Sequence, residues 1–155
     1  MTVEFCIPDE EVRRSWPGLR VGSNATVESE RDPRYNCVAW AMNDRLNDWQ
    51  PTPLHRLHTW PEGVPRDPSL GGFIAMFRSQ GFEPCPDASL EPDMEKLGIY
   101  VDRSGDFTHV AKQLLDGRWT SKLGQLNDIE HNTLEDLVGE LYGFPQVYLR
   151  KPRST

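Results

Sequence analysis

The stretch "DPRYNCVAWAMND", Asp32 to Asp44, sets one cysteine, Cys37, between an asparagine and a short apolar run of helical character. Asn36 is a good helix N-cap. Cys37 is therefore expected in the first turn of a helix, facing unpaired N–H groups and the positive end of the dipole. Both favour thiolate over thiol, and the thiolate is the nucleophile. The same N–H groups are suited to hold the oxyanion of an acyl-transfer intermediate, with the Asn36 side chain as a secondary contributor.

A nucleophilic cysteine needs a base, normally a histidine brought near by the fold. The chain has four histidines. His55 and His58 fall in a proline-rich stretch, and His131 in a polar turn. His109 alone is expected on a strand, just after a hairpin turn, where an imidazole can be held rigidly. The bland readings are that a lone cysteine in an apolar helix is a small core residue and that a lone strand histidine is a satisfied structural one. Helix-cysteine followed by sheet-histidine favours the chemical reading over both.

Other residues weigh less. Gln113 lies an even offset from His109 and should share its face of the strand, which makes it a candidate substrate contact. Trp40 and Trp119 read first as core and second as a substrate platform. His55 and His58 lack a third ligand, so no metal site and no cofactor are expected. Cys6 and Cys85 read as structural or incidental. "PDEE" and "LEPDME" read as solvated faces, and "NAT" at Asn24–Thr26 as a chance sequon.

The positioning elements follow from local pattern. "PDEEVRRSWPGL" suits a short helix from Pro8 or Asp9 to Pro17-Gly18. "VGSNATVESERDPRYN" reads as a loop or weak strand. From Asn36, the residues Val38, Met42, Leu46 and Trp49 share one helical face until Pro51. Five prolines make Pro51–Pro68 an irregular excursion, a loop long enough to cover a cleft. A second helix is predicted over Ser69–Gln80, closed by Gly81. Ile99 and Val101, then Phe107 and Val110, flank the turn signal "RSGD" and predict a hairpin. "LDGR" turns into a third strand, "RWTSKL". A short helix capped by Asn132 or Thr133 and a last strand, "PQVYLRKP", complete the chain. The class is α+β: N-terminal helices packed on a small antiparallel sheet, in a single domain over residues 1–155.

Bulk properties narrow the function classes. The net charge of −7 gives no drive toward nucleic acid or anionic membrane, and it disfavours anionic substrates unless the local cleft differs from the mean. No apolar run spans a bilayer. Three cysteines without close spacing make neither a disulfide framework nor a zinc site. With no visible secretory signal, the expected place is the cytoplasm, or delivery by a non-classical secretion route.

"YNCVAWA" and "THVAKQLLDGRWTSKLG" together resemble the papain-like cysteine hydrolases, in compact bacterial versions related to NlpC/P60 and transglutaminase-like proteins. The likeness runs from about Tyr35 to Gly124, with a central part that does not align. It implies Cys37 as nucleophile, His109 as general base and then acid, and a third polar residue on the next strand orienting the imidazole. That position falls near Ser121, where those families carry Asp, Asn, His or Gln; Asp128 or His131 are the other candidates. The chain also resembles an uncharacterised bacterial family carrying "YNC.AWA" and "G.W.SKLG…DIEH", which implies no activity. The resulting expectation is a thiol-dependent hydrolase or acyltransferase, cysteine peptidase- or amidase-like. Its substrate is a protein or peptide amide, isopeptide or glutamine carboxamide. The alternatives are a non-catalytic binding module on the same scaffold and a toxin-type deamidase or effector. Oligomeric state is left open.

Overall fold

The computed structural model describes residues 12, 14–20, 23–28, 32–52, 58–124 and 126–153. The start expected for a first helix, Pro8 or Asp9, lies outside them, as do Cys6 and His55. The described elements are β1 (Ala25–Val27), α1 (Cys37–Ala41), α2 (Leu70–Ser79), β2 (Glu83–Cys85), β3 (Met94–Val101), β4 (Phe107–Gln113), β5 (Trp119–Lys122), β6 (Asp128–His131), a 3-10 turn (Leu134–Leu137) and β7 (Phe144–Pro152).

The class is α+β, but the sheet dominates. Seven antiparallel strands run in the order β1-β6-β5-β4-β3-β7-β2. The expectation of N-terminal helices on a small sheet is corrected: the sheet is large and dominates, and α1 has only five residues. The strands from β3 to β6 form a meander. β7 returns to lie beside β3, with Leu97 opposite Leu149.

α1 is far shorter than its apolar periodicity suggests. Asn43 adopts a left-handed conformation (φ 62) and ends the helical path. Asp44 then captures the chain. Its Oδ1 accepts from the Leu46 and Asn47 N–H groups at 2.9 and 3.2 Å, and its Oδ2 accepts from the Trp49 indole at 2.8 Å. A local carboxylate turn has outcompeted helix continuation, and Leu46 is left 70% exposed. α2 follows its pattern closely. Ser69 caps it by accepting from the Gly72 N–H at 3.1 Å, and Phe73, Met76 and Phe77 form the buried stripe.

Two apolar cores flank the sheet. On one face, Val38 and Ala41 of α1 and Phe73, Met76 and Phe77 of α2 pack on Leu97, Ile99, Val110 and Leu149. On the other, Tyr100, Ala111, Trp119 and Ile129 meet Trp16, Leu19, Leu134, Leu137 and Tyr142. With both faces covered, seven of the eight β3 residues are buried. No described helix is long and apolar enough to cross a membrane.

Candidate functional site

Cys37 is the first residue of α1. Its N-cap, Asn36, is committed to structure: Oδ1 accepts from the Ala39 and Trp49 N–H groups at 3.0 and 3.2 Å, and Nδ2 donates to the Trp49 carbonyl at 2.7 Å. Asn36 thus ties the loop entrance to the helix, with one of its two amide N–H donors engaged. The backbone N–H groups of Val38, of Cys37 itself and of Val110 face the thiol. Val110 follows His109 directly on β4.

These N–H groups act to lower the thiol pKa, but enclosure outweighs them and pushes it up to about 11. At that value the half-buried thiol is protonated near neutral pH, against the expected thiolate. A helix of five residues offers little dipole, while the sulfur lies among Val38, Phe73 and their neighbours.

Cys37 lines a cleft of about 610 Å³. Asn36, Cys37 and Val38 at the start of α1 line it, and so do Phe73 and Phe107, stacked with ring centroids 3.8 Å apart. Gln50, Pro51, Thr52, Arg66 and Pro68 bring both described ends of the proline-rich excursion to its lining. Thr108, Gly124 and Tyr142 complete it.

His109 directly precedes Val110 on β4 but faces the other way. It sits opposite Tyr100 on β3, and its ring contacts Tyr100 (5.4 Å) and stacks flat on Tyr142 (4.2 Å, 7°), all in the core away from α1. Side chains alternate along a strand, so Val110 points toward α1 and His109 points away. His109 is fully buried, and neither ring nitrogen has a hydrogen-bond partner. Burial holds its pKa well below 6.5, so the imidazole is neutral. Tyr142 is the shared neighbour: it lines the Cys37 cleft and covers the His109 ring. Gly143 fixes it there, because at φ 75 a Cβ would fall 1.9 Å from the Val101 carbonyl oxygen.

The expected third residues go elsewhere. Ser121 is buried on β5 and bonds His131, Oγ to Nε2 at 2.8 Å. His131, expected in a polar turn, ends β6 with no exposure. Asp128 is opposite Lys122, one position from Ser121 and hence on the face away from His109. Gln113 shares the His109 face but donates to the Ala88 carbonyl at 3.1 Å, outside the Cys37 cleft. Trp40 packs beside Tyr35 and donates its indole N–H to Thr120 at 2.9 Å. Cys85 makes a long 3.6 Å contact to the Asp87 carbonyl. His58 bonds Thr52 Oγ1 through Nδ1 at 2.7 Å and approaches Asp48 at 3.5 Å.

Three features escaped the sequence reading: Tyr142 and Arg66, which line the cleft, and Lys122, which does not. Lys122 is fully buried, donates to the Gly124 and Leu126 carbonyls at 2.8 and 2.6 Å, and rests 4.8 Å over the Tyr35 ring. Burial draws its pKa down to about 8 against the pull of Asp128, Asp32, Cys37 and Asp48. Its alternation in "WTSKL" was the available signal. Tyr142 and Arg66 lie in irregular segments, where no periodicity marks a side chain.

No curated protein and no solved structure matches the chain. A family model does, described as a domain of unknown function, DUF7689, over residues 26–150, and the chain belongs to that family.

Proposed function

We propose that the chain is a thiol-dependent hydrolase or acyltransferase of papain-like type, acting on an amide, isopeptide or glutamine carboxamide. The observation that carries this reading is the setting of Cys37: a residue that lines a cleft, its sulfur faced by three backbone N–H groups. In the proposed reaction, Sγ attacks the carbonyl carbon and its proton passes to a ring nitrogen of His109. The Cys37 and Val38 N–H groups hold the oxyanion. Collapse breaks the C–N bond, and the departing amine takes the proton from His109. Water, or a second amine, then attacks the thioester with His109 again as base and returns the thiol. For this His109 must leave its stack on Tyr142, and the start of β4 must twist to carry the imidazole round from the far face of the sheet toward the sulfur. Free thiol and free imidazole are both neutral, so substrate binding has to supply that rearrangement.

A second reading, a non-catalytic binding module, draws support from the same neutral thiol and from the absence of a Cys37–His109 hydrogen bond. Alkylation of Cys37 by iodoacetamide against pH, read by mass spectrometry, separates the two. The enzyme reading expects reaction at neutral pH, faster than a thiol titrating near 11 allows, and lost in His109→Ala. A Cys37 that stays inert below pH 9, with or without His109, leaves the binding module standing.

A further inference from the structure

Arg66 is the one ionised side chain among the described residues that line the Cys37 cleft. It stands there in a chain with 24 acidic and 17 basic side chains, and no carboxylate of the described residues pairs with it. Its one hydrogen bond among them is donated by Nη1 to the Thr52 carbonyl at 2.5 Å. A guanidinium has five N–H donors in a rigid fork, so most of its donor capacity is left for something else. The site is also held in place. Thr52 is tied through its hydroxyl to His58 Nδ1, and His58 engages the Asp48 carboxylate, which therefore stays with the loop. The stacked Phe73 and Phe107 rings line the same cleft.

We propose that this cleft takes a carboxylate-bearing acyl compound, with Arg66 gripping the carboxylate, the stacked phenylalanines packing the apolar stem and Cys37 facing the amide carbonyl. The assignment rests on the thiol-enzyme reading only for that last contact. It reverses the expectation from bulk charge: the surface is acidic, but the described lining of the cleft carries a single positive charge. A planar two-pronged donor matched to a carboxylate is the strongest recognition element at this site.

The carboxylate has two sources, an acidic side chain or a peptide C-terminus. Three probes of nearly equal shape separate them: N-acetylglutamate α-amide, N-acetylglutamine with its free α-carboxylate, and neutral N-acetylglutamine α-amide. Calorimetric titration of the whole chain should show one of the two acids binding at least about tenfold more tightly than the neutral amide, the margin a charge-assisted fork supplies. Which acid wins names the source. Arg66→Gln should erase the margin and Arg66→Lys keep part of it, with circular dichroism verifying that at least one variant folds. Equal binding of all three probes, no binding by any, or a margin that survives in the folded variant overturns the proposal. Calorimetry does not depend on the thiol. An Arg66-dependent preference with an inert Cys37 sinks the enzyme reading alone, and a reactive Cys37 with no preference sinks the carboxylate site alone.

Discussion

His131 and His109 are both fully buried on the sheet face away from α1, and they are treated in opposite ways. His131 is completely satisfied. Thr133 offers a carbonyl oxygen 2.8 Å from Nδ1, which can only accept, so Nδ1 carries the hydrogen. Nε2 then accepts from the Ser121 hydroxyl at 2.8 Å. His109 has two aromatic neighbours, Tyr142 stacked and Tyr100 tilted, and no polar partner. Leaving a buried polar group unpaired costs about 1–3 kcal/mol. The satisfied imidazole is construction, joining β5, β6 and the 3-10 turn. The unsatisfied one, stacked on a tyrosine that lines the cleft, has bonding capacity left for a proton in transit. Ser121, expected beside His109, bonds His131 instead.

The largest test of that contrast removes the satisfied ring. His131→Ala strips partners from the buried Ser121 hydroxyl and Thr133 carbonyl and opens a cavity besides. Together these should lower the unfolding free energy by about 3–5 kcal/mol, measured by urea titration at pH 7. A loss under about 1 kcal/mol would mean the pair stabilises nothing.

Acid provides the next test, in the unmodified chain. Both imidazoles ionise less readily folded than unfolded: burial takes His131 from 6.5 to about 4 and holds His109 well below 6.5. Between the two values the unfolded chain binds more protons, so stability falls as pH falls. His131 alone should account for a loss of about 2 kcal/mol between pH 7 and pH 5, and His109 should add to it. Urea midpoints that stay flat over this range would show that neither ring is shut away from protons.

How much of this was visible in advance divides along physical lines. α2 was legible because its cap, its apolar stripe and the closing Gly81 agree locally. The β3–β4 hairpin was legible because Asp102 and Gly105 encode its turn. The length of α1 was not, since one left-handed Asn43 and one carboxylate turn overrode four periodic apolar residues. The size of the sheet was hidden too. β1 and β2 have three residues each, too few for a pattern, and β1 pairs with β6 about a hundred residues away. At the site, the place of Cys37 at a helix start could be read from Asn36. The face of His109 and the partner of Ser121 could not. Alternation says which residues share a face, but only the register between strands says which of them touch.

The smallest expected effect is the sharpest for the comparison. His109→Leu keeps roughly the volume of the ring and discards its polar atoms. The loss is the stack on Tyr142, about 0.5–1.5 kcal/mol for an aromatic pair. The gain is relief from burying unpaired nitrogens, about 1–3 kcal/mol. The two nearly offset, so at pH 7 the variant should lie within about 1 kcal/mol of the parent or slightly above it, while His131→Leu loses several. At pH 5 His109→Leu should overtake the parent, because it no longer carries an imidazole that must stay neutral. A loss as large as that of His131→Leu would show that His109 has a hydrogen-bonded role in the folded chain. Its open nitrogens would then give no support to a base held ready beside the Cys37 cleft.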